Sequence, residues 1–209
     1  MDFKSVKNII FDFGAVVINI DIPNAYRSFA KLSGLSPERV QFLFENQGAY
    51  ADFETGNMDN SGFFTLLRKE LSISHTDQEL EEAWNSMLLD VPKERIEKLN
   101  SLKSKYTLIL LSNTNAIHIK KITSLFHEHH GIENFTNLFH KHYLSYQIHL
   151  FKPDPAIYEY VLKDAGIKRE ETIFLDDNLA NVQSALAIGL PTVHVIPGKY
   201  TMMDILKDA

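Results

Sequence analysis

Cysteine is absent from the 209-residue chain, which excludes a disulfide framework, a thiolate metal site and a thiol nucleophile. Any bound metal must use oxygen or imidazole. Long apolar runs are missing as well. The N-terminal stretch carries only a short one around Ile9, Ile10 and Phe11, too short for a secretory core and with no small-residue cleavage site. Nothing approaches the roughly 20 apolar residues of a membrane span, so a cytoplasmic location is the default expectation. Basic residues are in deficit, with 21 Lys and Arg against 27 Asp and Glu and a net charge of −6. A protein that grips a nucleic-acid backbone needs clustered cations to displace counterions. Neither nucleic acid nor a membrane is an expected partner, and oligomeric state leaves no trace in the sequence. The nucleotide fingerprints G-x-G-x-x-G and G-x-x-x-x-G-K-[ST] are absent, as is H-E-x-x-H. Without that spacing, His127 to His130 and the pair His140 and His142 read as surface histidines.

What is present is an alternation of textures. From Lys93 onward, helical spacing (Ile96, Leu99 and Leu102; Ile119, Ile122 and Leu125; Ile157, Val161 and Leu162; Val182, Ala185 and Leu186) takes turns with β-rich runs at 106–111, 172–175 and 192–196. The stretch between Leu125 and Ile157 reads as irregular. Such alternation means β-α-β units and a mainly parallel sheet. Residues 7–11 supply one more strand, separated from the rest by a long stretch from about Ile18 to Leu89 that has helix signals and no convincing strand. Ser36 before Pro37, Asn60, and a capping box of Thr76 with Glu79 are its helix starts. The expected fold is α/β: a Rossmann-like, mainly parallel sheet with helices on both faces, formed by residues 1–17 and 90–209, plus an inserted helical cap over residues 18–89. Ligands in such sheets sit beyond the carboxyl ends of the strands, where the insert would close over them.

The informative polar residues lie where strand-like runs stop. Asp12 follows Ile9-Ile-Phe, Ser112 follows Leu108-Ile-Leu-Leu, Lys152 precedes Pro153 and a helix, and Asp176-Asp177 follow Ile173-Phe-Leu. Each alone has a bland reading as a helix cap, a stiff turn or a solvated lysine. Together they contain what phosphoryl transfer requires. A carboxylate serves as nucleophile and metal ligand, further carboxylates complete an oxygen shell for Mg²⁺, and a hydroxyl and an ammonium hold phosphate oxygens. Adjacent aspartates also repel each other unless a cation or hydrogen bonds compensate.

In order and context these residues resemble the four motifs of the haloacid dehalogenase-like superfamily, over nearly the whole chain. The matching segments are Asp12-Phe-Gly-Ala-Val-Val17, Leu111-Ser-Asn-Thr-Asn115, Lys152-Pro-Asp-Pro-Ala-Ile-Tyr158 and Phe174-Leu-Asp-Asp-Asn-Leu-Ala-Asn181. The insert is similar to the C1 cap of that superfamily. Phe53-Glu-Thr-Gly-Asn57 resembles a cap turn of one subgroup, with sugar-phosphate phosphatases of the α-glucose-1-phosphatase type as the nearest likeness. The resemblance implies a phosphatase acting on a small phosphorylated metabolite. Asp12 would be the nucleophile that becomes an aspartyl-phosphate, with Ser112 and Lys152 catalytic beside it. Mg²⁺ would be held by Asp12, the carbonyl of Gly14 and Asp177, with Asp176 ligating or positioning a water. Ser112, Asn113 and Lys152 would hold phosphate, and Glu54, with Tyr50 and Phe53 beside it, would face the substrate.

At one position the chain departs from that pattern. Most phosphatases of the superfamily carry a second aspartate two residues after the nucleophile, as proton donor to the leaving group; here the position is Gly14. A glycine keeps the carbonyl but supplies no proton, a contribution worth about 10²–10⁴-fold. A leaving group that needs little acid, such as an anomeric phosphate, fits this form. A dehalogenase attacking carbon lacks the second aspartate too, but leaves Asp176-Asp177 unexplained. A phosphate-binding protein with slow turnover is the third reading. Asp21 is a possible substitute acid, with a helix N-cap before Pro23 as the alternative.

Overall fold

Asn8-Ile-Ile-Phe11 forms the central strand of the computed structural model, which describes residues 3–46 and 49–209. Met1 and Asp2, assigned above to the sheet-bearing part, and residues 47 and 48 of the insert lie outside the described residues. Five strands, β1 (Asn8–Phe11), β2 (Thr107–Ser112), β3 (Lys141–Leu144), β4 (Thr172–Asp176) and β5 (Thr192–His194), make one sheet in the order β3-β2-β1-β4-β5. Every pairing is parallel, so all carboxyl ends lie along one edge. The helices are α1 (Ile22–Ser33), α2 (Pro37–Asn46), α3 (Ala49–Glu54), α4 (Asn60–Leu71), α5 (Asp77–Asn85), α6 (Lys93–Leu102), α7 (Ala116–His130), α8 (Ser145–Ile148), α9 (Pro155–Ala165), α10 (Leu179–Ala187) and α11 (Met202–Ile205).

Period-two alternation divides the strand residues between two cores. Ile9, Phe11, Leu108, Leu110, Ile173 and Leu175 pack on one face against α6, α7 and α11. Ile10, Ile109, Leu111 and Phe174 pack on the other against α9 and α10. Strands covered on both faces are apolar throughout, which is why β1, β2 and β4 are legible as continuous runs. The edge strand β3 is not. Its first two residues, Lys141 and His142, are exposed and only Tyr143 and Leu144 are buried, so the stretch read as irregular contains a strand with half the usual signal. The last strand is also shorter than its apolar run, because Val195 and Ile196 leave the ladder after one bond from Val195 N–H to the Asp176 carbonyl at 2.9 Å.

Helices α1 to α5 lie between β1 and β2 in sequence and share a separate apolar cluster, including Phe29, Phe44, Tyr50, Phe63 and Trp84. Their ends follow local capping chemistry. Ser36 Oγ accepts from Arg39 N–H at 3.2 Å, and Thr76 with Glu79 forms the reciprocal capping box. The cap of α4 is Asp59, accepting from Gly62 N–H at 2.7 Å, and not Asn60, which is the first helical residue. Asp's carboxylate complements the helix's positive end better than the neighbouring amide. The two chain crossings between this cluster and the sheet run side by side. Asp21 N–H donates to Met87 O, Leu89 N–H to Asn19 O and Asn19 N–H to Asp90 O, at 2.8, 3.0 and 2.9 Å.

Candidate active site

Parallel register brings the strand-end residues together. Asp12 continues β1 by donating its N–H to Leu175 O at 2.8 Å, while Ser112 and Asp176 are the last residues of β2 and β4. Lys152, in the loop before α9, is almost completely buried. Its Nζ donates to Asp12 Oδ1 at 2.6 Å, Asp176 Oδ2 at 2.7 Å and Leu111 O at 3.0 Å. Three protons meet three acceptors, so the ammonium has no freedom to leave. Asn113 fixes its backbone from both sides: Nδ2 donates to Lys152 O at 2.8 Å, and Oδ1 accepts from Lys152 N–H at 2.9 Å. The amide of Asn113, expected on the phosphate, is thus committed to Lys152.

Asp176 is fully buried and saturated. Oδ1 accepts from Asn178 N–H at 2.8 Å and Asn181 Nδ2 at 3.0 Å, and Oδ2 from Lys152 and from Asn181 Nδ2 at 3.1 Å. Asp177 differs. It is partly exposed, its carboxylate accepts no hydrogen bond from another side chain among the described residues, and its carbonyl is held by His194 Nε2 at 2.9 Å. Asp12 Oδ2 likewise has no protein donor among the described residues.

The charges do not balance. Asp12, Asp176 and Asp177 act on one another across a site with a single ammonium. Burial, together with Asp176 and Asp177, pushes the Asp12 carboxyl up to about 7 against the pull of Lys152. Burial and Asp176 raise Asp177 too. Burial opposes the charge of Lys152, but Asp12 and Asp176 outweigh it and hold the ammonium protonated well above the ordinary range. This oxygen-rich, under-neutralised set suits a hard divalent cation. Among the described residues no three His, Asp or Glu side chains form a ready-made cage, because Lys152 occupies the space between Asp12 and Asp176. The free oxygens are those of Asp12 and Asp177, and Gly14 leaves a carbonyl beside them in sequence.

A cavity of about 140 Å³ opens between the strand ends and the helical insert, lined by Gly14, Ile20, Glu54, Ser112, Asn113 and His118, among others. A second, of about 200 Å³, shares Ile22, Glu54 and Met87 with it and adds Tyr26, Tyr50 and Trp84. Ser112 is buried, and among the described residues its hydroxyl makes only a 3.4 Å contact with Asn113 O, which leaves it available to a ligand. Glu54 ends α3 and is pinned to the sheet-bearing part. Ser145 Oγ donates to the Glu54 carbonyl at 2.6 Å and accepts from Thr114 N–H at 2.8 Å. The turn continues flat on α8: Gly56 has φ +72°, and a Cβ there would stand 2.1 Å from Tyr146 O. Only glycine fits such a turn. Phe53 stacks on Phe63 at 4.0 Å, inside the insert's core. Asp21 occupies the N-cap position of α1, though its side chain makes no cap bond and pairs instead with Arg27 at 2.6 Å; it does not line this cavity.

Spacing in the sequence does not single out Ser145, Asn181 or His118. His118 on α7 stacks on Trp84 of α5 at 4.9 Å. One ring nitrogen faces the Asn115 amide at 3.2 Å and the other the Trp84 carbonyl at 3.4 Å; an Nε2–H neutral imidazole satisfies both. Burial lowers its pKa from 6.5 to about 4. The unfolded chain therefore takes up a proton that the folded one refuses, and stability is expected to drop by roughly 3 kcal/mol as pH falls from about 6.5 to 4. Denaturant melts of the native chain and His118→Phe across that range check this: the variant should lose less stability than the native chain.

Comparison with known proteins bears on this arrangement. The family model for haloacid dehalogenase-like hydrolases matches residues 6–189. The chain belongs to that family. It is 29% identical over 187 residues, 90% of each chain, to a D-ribitol-5-phosphate phosphatase of Bacteroides thetaiotaomicron. A crystal structure of a family enzyme from the same organism superposes with a TM-score of 0.88 at 31% identity, covering 97% of this chain and 99% of the other. The complex of such an enzyme with magnesium and inorganic phosphate matches with a TM-score of 0.84 at 32% identity over 93% and 96% of the two chains. The expected α/β fold and hydrolase class therefore hold. Among the described residues no helix is long and apolar enough to cross a membrane.

Proposed function

We propose that the chain is a Mg²⁺-dependent phosphatase that cleaves a small sugar or polyol phosphate through an aspartyl-phosphate at Asp12. The observation that carries this reading is the imbalance at the strand ends, where three carboxylates face one locked ammonium and two of them keep free oxygens. Asp12 Oδ2 attacks phosphorus, Ser112 holds an equatorial oxygen, and the fixed Lys152 ammonium beside the nucleophile offsets the charge that spreads onto the phosphoryl group. Asn113 and Asp176 act as positioning residues for Lys152. Asp12, Asp177 and the Gly14 carbonyl would hold the metal, with Asp176 outside its direct ligands because its oxygens are occupied. When bound, Mg²⁺ neutralises charge on the phosphoryl group and polarises its oxygens.

Residues 18–89 act in this reading as the cap, and residues 1–17 and 90–209 as the core. The organic part of the substrate occupies the paired cavities, where Tyr50 Oη and Trp84 Nε1 are buried without hydrogen-bond partners among the described residues. Buried polar groups of that kind are rare, and substrate hydroxyls would satisfy them. The ribitol-phosphate phosphatase among the relatives supports the same substrate class. The test is phosphate release from a panel containing D-ribitol 5-phosphate and D-glucose 1-phosphate, with Mg²⁺ or with EDTA. Hydrolysis of at least one, reduced about 10²-fold or more by EDTA, is the expected result. Metal-independent halide release from a 2-haloacid would replace this reading with carbon-centred chemistry, and tight binding without turnover would replace it with a ligand-binding role.

A further inference from the structure

We infer that Glu54, carried by the cap, is the proton donor to the leaving group and the base for the hydrolytic water, in place of the carboxylate missing at Gly14. The inference rests on the phosphatase reading above and assigns the one role that reading leaves empty. Space decides first. A side chain at Gly14 would place its Cβ 2.9 Å from Ile20 Cδ1, so the volume next to the nucleophile's loop is taken by an apolar group that carries no proton. The same cavity is lined by Glu54, and among the described residues its other titratable side chain is His118. His118 is spent: its nitrogens face Asn115 and Trp84. Glu54 has no ion pair and no side-chain hydrogen bond among the described residues.

Its position is set independently of its carboxyl. The Ser145 hydroxyl ties the Glu54 carbonyl to the Thr114 backbone, one residue from Asn113, and the His149 ring holds the Thr55 carbonyl at 2.8 Å. The side chain is therefore presented to the cavity from a fixed backbone, as a group that must meet a reacting atom requires. Burial pushes the carboxyl up to about 7, so near neutrality it holds a proton and can also part with it.

The proton account closes. Asp12 attacks phosphorus, the bond from phosphorus to the leaving oxygen breaks, and that oxygen takes the proton of Glu54. Water then attacks the aspartyl-phosphate, the Asp12–phosphorus bond breaks, and the water proton returns to the Glu54 carboxylate.

Two aryl esters of the same shape class separate the role from mere packing. Phenyl phosphate releases a basic phenolate that needs a proton; p-nitrophenyl phosphate releases one that does not. Stopped-flow traces of Glu54→Gln are expected to keep a stoichiometric burst of p-nitrophenolate near the native rate, followed by turnover slowed about 10²–10⁴-fold. With phenyl phosphate the burst itself should fall by a similar factor. Equal losses on both esters would make Glu54 a structural or binding residue, and changes below about threefold would remove it from the reaction. Asp12→Asn, run beside it, should abolish both bursts. A burst surviving in that variant would overturn the phosphatase reading and the role of Glu54 with it, an outcome distinct from failure of Glu54 alone.

Discussion

Lys152→Met is expected to lower kcat by about 10²–10³-fold and to destabilise the fold by roughly 3–5 kcal/mol. Both effects come from one place. The ammonium is buried between Asp12 and Asp176, and methionine keeps most of the stem while deleting the charge. Two carboxylates then face each other in a dry site with no counter-ion. Asp12, already raised to about 7 with Lys152 present, rises further and is protonated at neutral pH. A protonated carboxyl is a poor nucleophile, so activity falls beyond the loss of positive charge beside the phosphoryl group. Thermal melts should show a decrease on the order of 10 °C. The deficit should shrink when Mg²⁺ is added, because a cation bound to the folded state restores part of the missing positive charge. A melt unchanged from the native chain would mean that Lys152 does not neutralise the aspartates.

Asp12→Asn should have the larger effect on turnover and the smaller one on stability. Removing a nucleophile that forms a covalent intermediate costs about 10⁴-fold or more. The fold should survive, because the amide oxygen can still accept from Lys152 and Asp176 still pairs with it at 2.7 Å. One of three mutually repelling carboxylates is also gone. Circular dichroism and melts within about 1 kcal/mol of native, alongside loss of phosphate release, are the expected pair of results.

How far the sequence reveals this site depends on what each residue's role requires of its neighbours. Strands buried on both faces must be apolar along their length, so β1, β2 and β4, and the polar residues that end them, stand out without any structure. Asp12, Ser112, Asp176 and Asp177 are legible for that reason, and the parallel pairing of those strands brings them to one edge. The edge strand β3 carries Lys141 and His142 on its exposed half, and with it goes the signal for Ser145, the residue immediately beyond. The direction of a side chain is equally invisible from spacing. Asn113 borders the cavity, yet turns its amide to Lys152; Asp21 turns to Arg27; Asp176 turns to Asn178 and Asn181. The first of these choices joins residues 39 apart in the chain, and the other two are local but select one partner among several that spacing alone would allow. The insert shows the converse. Its capping box is plain because it is local, whereas the coupling of His118 to Trp84 spans 34 residues and leaves no pattern.

Acid quenching of the native chain within milliseconds of mixing with Mg²⁺ and a radiolabelled phosphate monoester, followed by peptide mapping, tests the central claim most directly. Label in an acyl-phosphate at Asp12, absent in Asp12→Asn, is the expected result. Active turnover with the label on a different residue, or with no protein-bound label under conditions where the intermediate must accumulate, would contradict it.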